Sequence, residues 1–422
     1  MARQCAKVPG STVTACTAPS SPVTDTSTQH ALPRLSERTR LLQSEGALLV
    51  MHRAQELERQ GRSIIHLELG APDVPAAPHI TTAAMRALQD GDARYVAPAG
   101  IVELREAIAA DARSRGFQAT AAQVLVTPSA KTAVFYALMA TVEPGCEVLV
   151  PDPGFPIYPS LARFAGGVPV GYGVDAENAP DVDDIAARIT PRTRVLALNS
   201  PNNPTGGALS MTALERLATL VERHDLLVVT DDIYSRLVFN TPRAPGIAAF
   251  EAARDRTLVV DGFSKTFAMT GYRLGYIIAP ERFTDTLTTL AINGHTCVAP
   301  FIQRAGVAAL TGPQDAVAAQ VDVYRARRDL VVAGLRAIPG VTCALPAGAF
   351  YAFPDFSGLL RARGMTSAQL ASRILEDHGV ALIDGAAFGP RGEGRVRLSF
   401  ASAQADLDDA LQRIAAAARS LA

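Results

Sequence analysis

The sequence predicts an α/β protein, with a mostly parallel central sheet in a large domain and a smaller α+β domain beside it. Three observations predict this. At 422 residues, with 48 % apolar and 19 % charged positions, the chain can bury the cores of two or three structural units without staples. Between about residues 75 and 280, short apolar runs recur, each closed by a polar or glycine-rich turn and several followed by a helical stretch. Strands alternating with helices imply a parallel sheet covered on both faces. From about residue 320 that pattern gives way to long helices (321–338, 367–378 and 404–421) and short strands near Val341, Phe350 and Val396.

Residues 1–36 form a leader in which ten of the eighteen positions from Ser11 to Thr28 are Ser or Thr, with interspersed prolines and no apolar periodicity, so disorder is expected there. It lacks the apolar stretch of a secretory signal and the arginine-rich amphipathic pattern of an organelle presequence. From Arg38 a helix is expected through Met51 and Leu57, then a strand over 64–69 ending at Gly70-Ala71-Pro72. The expected organisation is a small domain from 37–74 and 315–422 and a large domain from 75–314.

Within the large domain the strand-like run 124–127 leads into Pro128, Ser129, Ala130, Lys131 and a helix, and 147–150 leads into a turn ending at Phe155. Further runs at 194–198, 226–230 and 257–260 end at Asn199 to Gly207, Asp231 to Tyr234 and Asp261 to Lys265. Open sheets of this kind bind ligands outside the carboxyl ends of their strands. Those ends carry Lys131, Phe155, Asn203, Asp231, Tyr234 and Lys265 in succession, a set that ordinary polar loops explain poorly.

Composition narrows the function further. Forty basic residues against forty-one acidic ones leave a net charge of -1, so no global field attracts nucleic acid or an anionic membrane. The longest apolar run, 133–142, is too short to span a bilayer and reads as buried helix. Five widely spread cysteines without a CxxC pair or a His/Cys cluster fit a reducing cytoplasm and give a structural metal no support. Only three of the forty basic residues are lysines: Lys7, Lys131 and Lys265. Lysine, unlike arginine, can lose its proton near neutral pH and attack a carbonyl, which makes the two internal lysines candidates for chemistry.

The segment Ser264-Lys265-Thr266-Phe267-Ala268-Met269-Thr270-Gly271-Tyr272-Arg273 places a lysine just past a buried strand, with an arginine eight residues later. A desolvated lysine beside another cation becomes a competent amine nucleophile for a Schiff base. This segment resembles the lysine signature of the fold-type I, class I/II pyridoxal-phosphate aminotransferases, and the resemblance extends over roughly residues 38–420. Asn199-Ser200-Pro201-Asn202-Asn203-Pro204-Thr205-Gly206 is similar to the family's Asn-Pro-x-Gly turn, and Asp231-Asp232-Ile233-Tyr234 to its Asp-x-x-Tyr element. The resemblance implies pyridoxal 5'-phosphate as cofactor, Lys265 and Asp231 as catalytic residues, Asp231 on the pyridine nitrogen, and Asn203 and Tyr234 on the phenolic oxygen. A carboxylate there keeps the ring nitrogen protonated, so that the ring can accept electrons released when a Cα bond breaks.

For the phosphate, Ser129-Ala130-Lys131 resembles the family's Gly-Ala-Lys cup at a helix start, with Arg273 as the phosphate arginine. Two departures stand out: Ser129 replaces a usual glycine and Gly262 replaces a usual phosphate-binding serine, a lost hydroxyl for which Ser129 or Ser264 are the candidate substitutes. Phe155 is placed like the aromatic that stacks on the pyridine ring. Tyr95, in the segment from Ala93 to Gly100, is similar to the tyrosine that reaches the phosphate of a neighbouring subunit, which implies a homodimer with shared active sites. Arg397 falls where the family's α-carboxylate arginine lies, with Arg395 as its rival on the same strand face, and Gly70 and Asn203 are placed beside the same carboxylate.

The side-chain pocket is less legible, since the stretch 283–303, where one branch of the family carries a distal-carboxylate arginine, holds no arginine or lysine. His295 lies in that stretch, as a pocket residue or simply a packed one. The expected function is a cytoplasmic aminotransferase moving an amino group from an L-amino acid to a 2-oxo acid through a pyridoxal-phosphate Schiff base. The same residues would serve a carbon–sulfur β-lyase, and the sequence leaves that alternative open. An aminotransferase-like transcriptional regulator would need a DNA-binding module, for which the leader is too short and too little basic.

Overall fold

In the computed structural model, residues 36–42 and 46–421 are described; the leader, apart from Ser36, lies outside the described residues, as do Lys7, Cys5 and Cys16. Twelve strands run in chain order: β1 (Ile65–His66), β2 (Val124–Thr127), β3 (Glu147–Pro151), β4 (Val168–Tyr172), β5 (Thr193–Asn199), β6 (Leu227–Asp231), β7 (Thr257–Gly262), β8 (Gly275–Ile278), β9 (Tyr351–Ala352), β10 (Val380–Ala381), β11 (Ile383–Asp384) and β12 (Val396–Ser399). Seven of them form the central sheet in the order β2-β8-β7-β6-β5-β3-β4, and only β8 runs antiparallel to its neighbours.

The central strands are apolar throughout because both faces are covered. β3, β6 and β7 are buried at every position, and alternate residues serve opposite cores. Val195 and Ala197 of β5 join the cluster built on the helix Ala130–Thr141, while Leu196 and Leu198 join that of the helix Met211–Arg223. Two short sheets, β1-β10 and β11-β12-β9, share a separate core with the helices Asp315–Arg336, Ser367–His378 and Gln404–Arg419. That core also takes in Ile233, Tyr234, Leu237 and Phe239 from the chain after β6. From Arg38 onward the chain forms one compact unit.

The expected strand over 64–69 is shorter in the structure. Only Ile65 and His66 pair with β10, because β10 itself is two residues long. β4 and β8 were not expected: β4 contains Pro169 and Gly171, and β8 is a four-residue return strand just after the lysine segment. Among the described residues, no helix is long and apolar enough to cross a membrane, and no cluster of His, Cys, Asp and Glu could hold a metal ion.

One close approach positions the site. A Cβ added at Gly275, the first residue of β8, would lie 2.3 Å from Ala130 N and 2.4 Å from Ser129 C. The helix Ala130–Thr141 therefore starts directly against β8, and Ser129 caps it by accepting from Thr132 N at 3.1 Å. Gly275→Ala should push that helix start away and lower unfolding free energy by about 2 kcal/mol, measured as a shift in urea midpoint at constant m.

Candidate active site

The carboxyl ends of β2, β3, β5, β6 and β7 open onto a cavity of about 550 Å³. Gly70, Ser129, Ala130, Lys131, Phe155, Asn203, Asp231, Tyr234, Ser264, Lys265, Arg273 and Arg397 all line it. Tyr95 does not; it stands 87 % exposed on the surface. His295 is also elsewhere, its Nδ1 paired with the Tyr136 hydroxyl at 2.8 Å and its ring stacked on that of Tyr136.

Lys265 follows β7 in a turn, and its amine donates to the Gly70 carbonyl. Burial pushes its pKa down to about 8, helped by the charges of Arg397, Arg273 and Lys131 and opposed by Asp231. Asp231 ends β6. Burial raises its carboxyl to about 6, against the Tyr158 hydroxyl at 2.9 Å on Oδ2 and the Ile233 N–H at 3.2 Å on Oδ1. No arginine or lysine lies within ion-pairing distance of Asp231 among the described residues. The cavity thus holds a softened amine and a buried carboxylate that feels the Lys265 charge but has no salt-bridge partner among the described residues.

Arg397, on β12, is 4 % exposed. Its Nη1 donates to Asn203 Oδ1 at 3.0 Å and its Nη2 to the Glu68 carbonyl, while the rings of Tyr351 and Phe388 lie 4.5 and 4.9 Å from the guanidinium. Arg395 precedes the strand and turns away, toward Asp355 at 3.5 Å and Asn178 at 3.4 Å. Arg273 adopts a left-handed conformation (φ 55) and donates to the Thr270 carbonyl at 2.7 Å. Lys131 stands 5.7 Å from the ring of Phe155.

The two departures from the family pattern have packing reasons. A Cβ at Gly262 would lie 3.1 Å from Leu274 O and 3.2 Å from Gly275 Cα, so a serine needs β8 to give way. The Ser129 hydroxyl is engaged by Thr132, accepting from its N–H and lying 3.0 Å from its hydroxyl. Ser264 and Thr270 are the hydroxyl residues of the lysine loop that line the cavity.

Three residues escaped the sequence reading. Asn199 ties two motifs together, its side chain donating to Asp231 O at 2.8 Å and accepting from Asn203 N at 2.8 Å. Tyr158 was visible only as a tyrosine three residues after Phe155. Tyr351 gave no signal, although its hydroxyl bonds that of Tyr234 at 2.9 Å and a Cβ at Gly70 would lie 1.8 Å from it. Only glycine fits against that tyrosine.

The chain belongs to the aminotransferase class I and II family, whose model matches residues 62–414, and it is an enzyme of amino-group transfer. It is 38 % identical over 389 residues to the aspartate/prephenate aminotransferase of Thermus thermophilus, covering 90 % of this chain and 98 % of that protein. It is 36 % identical to an aspartate aminotransferase of Rhizobium meliloti, covering 86 % and 91 %. A crystal structure of the Rhizobium meliloti aspartate aminotransferase superposes with a TM-score of 0.87 at 34 % identity, over 92 % of this chain and 99 % of that one. The Thermus thermophilus aspartate aminotransferase solved with maleate gives 0.85 at 37 %, over 92 % and 100 %. Of the two chemistries the residues alone left open, amino transfer is the one these relatives carry.

Because a lysine reacts as the free base, its lowered pKa moves its reactivity toward neutral pH. In cofactor-free protein, carbamylation of Lys265 by cyanate, followed by peptide mapping, should rise with pH through a midpoint of about 8, well below the ordinary 10.5. Arg397→Gln should shift that midpoint upward by removing a repelling charge.

Proposed function

We propose that this aminotransferase uses pyridoxal 5'-phosphate bound in the cavity, and that its amino donor is an L-amino acid with a side-chain carboxylate. The carrying observation is the company of Lys265, at about 8, and the buried Asp231, at about 6 and without a salt-bridge partner among the described residues, in one cavity with Arg397. The residues fit this group. Asp231 has no salt-bridge partner among the described residues, a place that a protonated pyridine would fill, Lys265 offers an amine, Phe155 offers a ring face, and Asn203 and Tyr234 suit the phenolic oxygen. Arg273 and the first-turn amides after Ser129 suit the phosphate, because the first N–H groups of a helix have no intrahelical acceptor.

When bound, the cofactor supplies the electron sink for the bond broken at Cα. The chain supplies placement and charge. Asp231 holds the ring nitrogen protonated, and Arg397 pairs with the substrate's α-carboxylate through its planar guanidinium. The Lys265 amine, a free base at mildly alkaline pH, takes the proton from Cα and returns it on the way to the product.

Four cations line the cavity, Lys131, Lys265, Arg273 and Arg397; Lys131, which the resemblance places at the phosphate, we assign instead to a side-chain carboxylate, because it stands beside the Phe155 ring at 5.7 Å. The aspartate specificity in the names of the Thermus and Rhizobium relatives supports this reading. Apolar walls from Leu48, Leu69, Ile383 and Phe388 favour a second class of substrate, acids carrying a bulky ring. The exposed Tyr95 supports a homodimer in which that tyrosine completes a neighbour's phosphate site. The unpaired Cys146, Cys297 and Cys343 support a cytoplasmic location. The three-sheet layering supports a small domain of 37–74 and 315–422 beside a large one of 75–314.

The loaded enzyme should show a visible absorbance that each reactive amino acid bleaches, aspartate and glutamate fastest. Lys265→Ala should lose both that absorbance and turnover, whereas Lys7→Ala should change neither; an undiminished Lys265→Ala overturns the cofactor reading. Lys131→Gln should raise the KM for aspartate about tenfold and leave that for alanine within about twofold, the size of one lost charge pair in a partly buried site.

A further inference from the structure

The first strand stops short of the residues that serve the site. After Ile65 and His66, Leu67 adds two main-chain bonds, its N–H to the Ala381 carbonyl at 2.9 Å and its carbonyl from the Ser399 N–H at 2.8 Å. There the ladder ends. The carbonyls that meet the two cations belong to the residues beyond: Glu68 accepts from Arg397 and Gly70 from Lys265. Among the described residues, no main-chain hydrogen bond fixes Glu68, Leu69 or Gly70. Something other than the ladder has to hold those two carbonyls at their height.

The Glu68 side chain is 0 % exposed, with Oε1 paired to His66 Nδ1 at 2.8 Å and Oε2 buried without a hydrogen-bond partner among the described residues. His66 Nε2 in turn pairs with Glu58 Oε1 at 3.1 Å, in the last turn of the helix Gly46–Arg59. Burial pushes the imidazole's pKa down, but the two carboxylates outweigh it and leave the ring more basic than usual. A carboxylate taken wholly out of water is costly unless partnered, so this ring is what makes Glu68 tolerable where it is.

We propose that the bridge Glu58–His66–Glu68 fixes the Glu68 and Gly70 carbonyls, making His66 and Glu68 positioning residues for the docking of the substrate carboxylate on Arg397. The proposal rests on Arg397 being the carboxylate seat. A guanidinium tied by one edge to a fixed carbonyl presents its other edge at one place; if the carbonyl drifts, the seat drifts with it. Neither His66 nor Glu68 touches a reacting atom, so the loss appears in substrate binding before it appears in turnover.

The test compares KM and kcat for amino and oxo acid in the cofactor-loaded, full-length enzyme and its variants. Glu68→Ala should raise both KM values about tenfold with kcat within about threefold, and Glu68→Gln, whose amide oxygen still accepts from His66, should recover most of the loss. An unchanged KM in Glu68→Ala, or a fall in kcat as large as the rise in KM, overturns the proposal. Should Glu68→Ala not fold, His66→Ala at its partly exposed site carries the same criterion. Arg397→Gln in parallel separates the two readings: an unchanged KM there refutes the carboxylate seat itself, whereas a raised KM there with none in Glu68→Ala refutes only the bridge.

Discussion

A reactive lysine and a charged carboxylate make opposite demands on one cavity. Burial helps Lys265 shed its proton and works against Asp231 keeping its charge, since a low dielectric disfavours whichever form is ionised. The chain meets the first demand by adding cations around the amine. It meets the second only in part, with the Tyr158 hydroxyl and the Ile233 N–H as donors to Asp231. The consequence for the protein alone has a definite sign. A carboxyl raised from 3.8 to about 6 costs nothing while protonated, begins to destabilise the fold as pH climbs past its ordinary value, and costs its full amount above about 6. A cation on Asp231 reverses that cost, so folding stability and occupancy of the site are linked.

Everything else about the site is a matter of bringing distant segments to those two groups. Parallel strands end on one side of a sheet, which accounts for Asn199, Asp231 and the turn carrying Lys265. The remaining wall comes from the short sheets, through Tyr351 and Arg397. Tyr351 is the joint between them: its hydroxyl meets Tyr234, its ring meets the Arg397 guanidinium, and its bulk leaves room at position 70 for hydrogen alone.

Much of this was legible from residue patterns. Strands such as 124–127 and 257–260 could be read because a strand buried on both faces is a continuous apolar run, and the helix 367–378 because Gly379 closes it in a left-handed conformation. β4 was not legible, since Pro169 and Gly171 dilute the apolar run, and β8 was absorbed into the lysine segment that precedes it. The same division holds at the site. Residues carried by local motifs, such as Asp231 and Lys265, were accessible, and the choice of Arg397 over Arg395 rested on the position before Leu398-Ser399. Tyr351 and Glu68 act through contacts with residues 117 and 329 positions away, and no short-range pattern encodes such a meeting.

The edge position of β2 ties two parts of the site into a single mechanical element. Among the described strands β2 pairs only with β8, its outer edge carrying a main-chain bond from Val126 N–H to the Ala99 carbonyl; β8 is entered through the loop bearing Lys265 and Arg273, and the first residue of β8 packs on the helix start that follows β2. The helix start and the lysine loop are thus coupled through β8. Their amide hydrogens would therefore exchange with solvent in one cooperative opening, and a ligand spanning both would slow that exchange at the two segments together.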